Sequence, residues 1–268
     1  MQVTNDKTSL GRSQWLGIAI FALLVVYAFT ASLWLQGDAN SQDLMRFLTP
    51  PSAELWLGAD QFGRNMWLRL AEALQLSMTL ALLCVLTSVV LGVTLGVLAA
   101  TFGGVLDRAL DVLVTSVLAL PGLMLVLIIA ALAPGELWAI YLAIALIQWV
   151  EFFRVSRAAV IRLAASPAVE SSRLMGFGQG YIFRRHYWPE LAPQLLTLSA
   201  FGASQAVLMM ASLGFVYVGI QPPQAELGQM IVELFPFYSE APWLLAQPVL
   251  LLSLLVLAFQ LISRREAS

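Results

Sequence analysis

Apolar residues run through this chain in long blocks, not in the narrow stripes of a soluble amphipathic helix. Crossing the hydrocarbon core of a bilayer takes roughly 20 predominantly apolar residues. Six blocks approach that length: Trp15–Leu35, Leu76–Ala100, Val112–Leu132, Leu137–Phe153, Leu195–Val218 and Trp243–Ile262. The fourth is the shortest, and Gln148 and Glu151 interrupt its end. The pattern predicts an all-α membrane protein with six transmembrane helices. Lys7 and Arg12 precede the first block as they would in a signal peptide. Its apolar run is longer than an ordinary signal core and no clean Ala-x-Ala site follows, so it is expected to remain as an uncleaved span. Between the first two blocks, Phe62–Leu74 sets Met66, Leu70 and Leu74 on one helical face, with Arg64 and Glu72 elsewhere. It reads as a short helix lying near the membrane interface. No internal repeat is evident.

Composition agrees with the bilayer as solvent. Of 268 residues, 60% are hydrophobic and 11% charged, against roughly 25% charged in soluble domains. Positive charge orients the spans, because Lys and Arg concentrate on the cytoplasmic side. With both termini inside, eleven fall on that side: Lys7, Arg12, Arg108, Arg154, Arg157, Arg162, Arg173, Arg184, Arg185, Arg264 and Arg265. Three fall outside, Arg46, Arg64 and Arg69, among acidic residues such as Asp38, Asp60, Glu226 and Glu233. The expected location is a bacterial inner membrane, crossed several times. A net charge of −2 argues against nucleic acid as a partner.

Several chemistries are excluded by what is missing. Cys84, the single cysteine, lies in an apolar run and reads as a buried thiol. His186 is the single histidine, so no multi-histidine metal site forms. The one lysine, Lys7, follows Asp6 and belongs to no phosphate-binding loop. HExxH and GxSxG are absent. The chain reads as a non-enzyme that binds no cofactor of its own.

One polar segment, Glu170–Pro189, stands apart from the apolar blocks. Ser166 suits an N-cap and Pro167 a first helical turn, predicting a short helix to about Met175. Gly176, Gly178 and Gly180 then break it. A second short helix, Tyr181–Tyr187, is expected to end before Pro189. Leu174, Met175 and Phe177 beside Arg173 have the character of a helix-in-groove contact, apolar anchors with a charged rim. From the residues alone, an ordinary solvated loop whose arginines only set topology stays open. The Gly-x-Gly-x-Gly spacing is not that of a nucleotide fingerprint, and no strand precedes it.

Glu170-Ser171-Ser172, three residues, Gly176, nine residues, then His186-Tyr187-Trp188-Pro189 resembles the EAA loop of ABC importer permeases. That family's pattern is E-A-A, three residues, G, nine residues, I-x-L-P. Ser171 and Ser172 replace the alanines, while His186 and Trp188 replace Ile and Leu. Leu57–Asn65 (LGADQFGRN) resembles the L-G-T-D-x-x-G-R-D stretch of the dipeptide, oligopeptide and nickel subfamily. Phe102–Arg108 resembles its F-G-G-x-x-D turn. Gln221-Pro222-Pro223 with Gly228 resembles its Q-P-P-x-x-x-W-G segment, with Leu227 in place of the tryptophan. The resemblance covers about Leu57 to Ile262 and is to the second, C-type permease.

The resemblance implies a type I importer permease whose cytoplasmic helix-turn-helix couples to an ATPase. It divides the chain into residues 1–56, with the N-terminal tail, first span and an outside segment, and a permease domain at 57–268. The coupling loop spans about 166–190. It implies coupling roles for Glu170, Ser171, Ser172, Arg173, Leu174, Met175, Gly176, Phe177, Arg184 and Pro189. The implied partners are a homologous second permease, one or two ABC ATPase subunits holding ATP and Mg, and a periplasmic or lipid-anchored substrate-binding protein. Peptides are the expected cargo, with nickel or a metal chelate as the alternative. Polar groups within spans usually face protein or water, so Gln75, Ser116, Gln148, Glu151, Ser204 and Gln205 are candidates for the translocation path. The bland alternative is that Ser and Thr merely bond to backbone carbonyls one turn back in their own helix. A secondary transporter or channel would call for coupling charges at the bilayer midplane, and none is unambiguous. An intramembrane enzyme would call for a catalytic pair, and Ser204 has no nearby histidine in sequence.

Overall fold

The computed structural model describes residues 11–35 and 37–264; Lys7, Gln36 and Arg265 lie outside them. Among the described residues the architecture is all-α. The helices are α1 (Arg12–Trp34), α2 (Met66–Phe102), α3 (Gly104–Leu118), α4 (Gly122–Leu132), α5 (Leu137–Ala164), α6 (Pro167–Leu174), α7 (Gln179–Ile182), α8 (Trp188–Phe215), α9 (Leu227–Leu234) and α10 (Pro242–Ser263). Five helical stretches are long and apolar enough to cross a membrane, and α3 with α4 makes a sixth if the bent pair is one span.

That pair corrects the expectation of a continuous third helix. The axis turns by 85° between α3 and α4. Pro121 stands at the break; it lacks an N–H and disfavours helical geometry at the residue before it. The short interfacial helix is corrected too. Met66 begins α2 itself, which runs 37 residues, or roughly 55 Å at 1.5 Å per residue. This exceeds the ~30 Å hydrocarbon core, so one end projects beyond it. Met66, Leu70 and Leu74 do share a face, but they are fully buried in the protein.

The fourth span is longer than its apolar run. Beyond Phe153 the residues Ser156, Ala159 and Val160 keep a buried face at helical spacing, and α5 continues through Gln148 and Glu151 to Ala164. The second short helix does not end before Pro189. A π-helical stretch, Phe183–Tyr187, joins α7 directly to α8, and Trp188 N–H bonds Phe183 O within this wider turn. A π turn moves the preceding carbonyls away from the proline ring, which would otherwise clash. The helical stretch therefore runs from Gln179 to Phe215.

α2 is the spine, with α5 and α8 packed against it. The α2–α5 contact is close because Gly92 and Gly96 have no Cβ. One placed on Gly92 would stand 2.5 Å from Phe152 Cβ, and one on Gly96 2.7 Å from Phe153 O. This is the small-xxx-small device of membrane helix pairs. Ser88, one turn earlier, donates to Ala145 O on α5 at 3.3 Å. α1 lies on α10 through Gly17, with the Phe21 and Phe259 rings 5.1 Å apart. The outward faces of α1, α3 and α4 expose Leu33, Val105 and Leu132, as side chains meeting lipid would be.

Candidate functional site

The polar segment folds as a helix, a tight turn and a second helix. Pro167 opens α6 as expected; Ser166 precedes it without a side-chain cap bond. Gly176 has φ of +80°. Phe177 N–H bonds Ser172 O at 3.1 Å and Gly176 N–H bonds Arg173 O at 3.0 Å. Together these form a Schellman closure, whose left-handed position favours glycine.

Ser172 holds the two helices together. Its Oγ lies 2.9 Å from His186 Nε2 and donates to Ala168 O at 2.9 Å. Thus two positions that depart from the EAA pattern, Ser for Ala and His for Ile, contact one another. Val169, Ile182 and Tyr187 are buried and seat the segment on the bundle. The tip is open: Leu174 is 85% exposed, Met175 67% and Phe177 42%. The Phe177 and Tyr181 rings stack at 4.2 Å. Glu170, Ser171, Arg173, Arg184 and Pro189 are exposed around it. Glu170 lies in the first turn of α6 and Arg173 in the last, each on the side the helix dipole favours. The structure therefore brings all ten sequence-selected residues of this segment into one compact element.

The six candidates for a path are not brought together. Gln148 is buried and donates to Gly202 O at 2.6 Å, tying α5 to α8. Gln75 donates to Ala28 O on α1. Ser204 is buried, with its Oγ on Phe201 O at 2.9 Å. Ser116 is exposed and bonds Val112 O one turn back. Glu151 is exposed and Gln205 partly so.

Two charged clusters fall outside the sequence-selected sites. Arg157 on α5 makes a forked pair with Asp107 on α3, at 2.5 and 2.7 Å. At the end of the bundle away from α6, Arg64 Nε meets Asp60 Oδ2 at 2.6 Å and Arg64 Nη2 meets Glu233 Oε2 at 3.2 Å. Arg69 Nε lies 3.4 Å from Asp60 Oδ2. Asp60, Arg64 and Arg69 are almost wholly buried. Their charges balance only as a group, as buried charges must. The four-residue spacing of Asp60 and Arg64 was the available signal; the link to Glu233 is long-range. Glu226 caps α9, accepting Gln229 N–H at 2.8 Å. Burial raises its carboxyl above the usual range, against the opposing pull of the Gly228 and Gln229 amides.

Residues 92–266 match the family described as binding-protein-dependent transport system inner membrane component. The chain belongs to this family. The permease is 32% identical to the nickel transport system permease protein NikC of Escherichia coli (strain K12) over 253 residues, covering 93% of this chain and 91% of NikC. It is 30% identical to the dipeptide transport system permease protein DppC of Haemophilus influenzae, covering 93% and 87%. A putative peptide permease of Brucella ovis is 29% identical, covering 92% and 83%. In fold the permease is similar to a chain of the inward-facing MetNI methionine ABC transporter. The TM-score is 0.56 at 20% identity, over 74% of this chain and 95% of that one. The architecture is thus that of a type I ABC importer permease.

Proposed function

We propose that this permease is the membrane half of an ATP-driven importer of di- and oligopeptides, coupled to its ATPase through α6, the Gly176 turn and α7. The observation that carries the reading is the tip of this element. Leu174, Met175, Phe177 and Tyr181 are exposed on a segment that is itself anchored by buried Val169, Ile182 and Tyr187. Apolar anchors on a rigid mount fill a groove, and Arg173 and Arg184 meet its acidic rim. Ser172 ties α6 to the π-helical stretch through His186, exposed Ser171 belongs to the docking face, and Pro189 sets the start of α8. Glu170 favours the amino end of α6.

Residues 57–268 act as the permease domain in a bacterial inner membrane, with both termini cytoplasmic. A homologous permease packs beside it, and one or two ATPase subunits supply ATP and Mg. A binding protein delivers cargo to the opposite face. Closure of the ATPases moves the docked element as a rigid body, and the spans rock between two states. Exposed Ser116 and Glu151 and half-exposed Gln205 line the route. DppC and the Brucella permease support peptides; NikC supports nickel or a metal chelate as the second reading.

The test is reconstitution of the complete transporter in proteoliposomes, with uptake of radiolabelled alanyl-alanine and of nickel measured with and without ATP. ATP-dependent accumulation of the dipeptide is expected. Accumulation of nickel alone would overturn the peptide assignment, and ATP-independent flux would overturn the coupling.

A further inference from the structure

α3 is an arm with a joint at each end. It leaves α2 through Gly103 and Gly104, whose φ values are +61° and +62°, a conformation that residues with a Cβ resist. A Cβ on either glycine would meet nothing within 4 Å, so no neighbour wedges this joint. At the other end Pro121 breaks the helix, and α4 departs at 85°. Between the joints α3 carries one stripe at helical spacing, Asp107, Leu110, Val114 and Val117. Val114 alone is buried along α3. It sits with Ala99 of α2 and Trp149, Val150 and Phe153 of α5, with Leu110 and Val117 partly buried against them. Val105, Val112 and Leu113 on the other sides stay exposed.

Asp107 begins that stripe, and Arg157 answers it from α5. Arg157 Nε and Nη2 donate to Asp107 Oδ1 and Oδ2. A forked guanidinium–carboxylate pair fixes direction as well as distance. Both side chains remain partly exposed, so the pair adds little to folding stability. Its position is what sets it apart. Arg157 stands about two turns before the end of α5 at Ala164. Only Ala165 and Ser166 separate that end from Pro167, the first residue of α6. The pair therefore joins the arm to the part of α5 that leads directly into the coupling element.

We propose that the Asp107–Arg157 pair is a tie that stays closed through the transport cycle and makes α3 follow the end of α5 when the coupling element moves. The inference rests on the coupling reading above. The joints at Gly103–Gly104 and Pro121 let α3 swing as a rigid piece, so the pair need not open. Without the tie, α5 moves while α3, held by one buried valine, lags behind. ATP hydrolysis then continues without uptake.

The test uses the complete transporter in proteoliposomes, loaded with whichever of alanyl-alanine and nickel the parent accumulates. Uptake per ATP hydrolysed is measured together with the unfolding temperature. Asp107→Asn and Arg157→Gln should each lower that ratio about tenfold, with hydrolysis retained and the melting temperature within a few degrees. The reversed pair, Asp107→Arg with Arg157→Asp, should recover about half of the loss or more. Asp107→Cys with Arg157→Cys and Cys84→Ala, joined by a bifunctional methanethiosulfonate of the pair's length, should transport better than the same protein unjoined. Transport blocked by joining would mean that the pair must open, and would overturn the closed tie. Loss of hydrolysis and of melting temperature in step with uptake would reduce the pair to a structural brace and overturn it as well. If the single variants keep the parent's ratio while Gly176→Asp abolishes uptake, the tie fails and the coupling reading stands. If the single variants lose uptake but Phe177→Cys forms no adduct with the ATPase, the tie stands and the docking assignment falls.

Discussion

At Ser172 and His186 two departures from a family pattern become one interaction. Fourteen residues separate them, yet Oγ and Nε2 are 2.9 Å apart. Their partnership was not legible in the sequence, because it depends on the turn that folds α6 back on the π-helical stretch. A double-mutant cycle with Ser172→Ala and His186→Ile should give a coupling energy of about 0.5–1.5 kcal/mol in thermal unfolding. Additive effects would mean that the contact holds nothing. Gly176 was legible, since its spacing and its role as a helix stop coincide. A Cβ at this position would meet nothing within 4 Å, so the constraint is its φ of +80°. Gly176→Asp should therefore leave the permease inserted but abolish ATP-driven uptake; normal uptake by the variant would sink the coupling assignment. Glu226 gives a pH prediction. A carboxyl raised on folding binds its proton more tightly in the native state. Its contribution is fully present below about pH 4, the ordinary glutamate value, and is lost as pH rises through the raised value. Glu226→Gln should flatten the fall of melting temperature as pH rises above about 4; an unchanged slope would assign it to other groups.

Among the elements, hydropathy located each span but not its ends. α2 and α5 outrun their apolar blocks because the buried face continues at helical spacing after polar residues begin on the other side. The break between α3 and α4 was hidden inside an unbroken apolar run, where Pro121 was the one available sign. The α2–α5 contact rests on Gly92 and Gly96, and Gly92→Val should force the helices apart, with a sharp drop in detergent-extractable folded protein. A variant that extracts and melts like the parent would contradict that packing. Asp60 and Arg64 sit in a stretch singled out by resemblance and Arg69 lies just beyond it, but their closure through Glu233 joins segments 164 or more residues apart. Asp60→Asn leaves buried guanidinium charge uncompensated and should cost about 3–5 kcal/mol, read as a lower unfolding temperature.

For the whole molecule, one face of the α6–α7 element is fixed to the bundle and the other is left open. The fold class, the number of blocks and this segment could all be read from the chain. The path residues could not, since Gln75, Gln148 and Ser204 each bond a backbone carbonyl in the bundle, and polarity in a span does not distinguish a wall from a lumen. The central claim is that the open tip at Phe177 meets an ATPase. The most direct measurement is cross-linking from Phe177→Cys, with Cys84→Ala, in membranes containing the assembled complex. The account predicts a covalent adduct with a Walker-motif subunit, formed in the parent background and lost with Gly176→Asp. An accessible thiol that forms no adduct with the ATPase, in a complex that still hydrolyses ATP and imports its cargo, would contradict it.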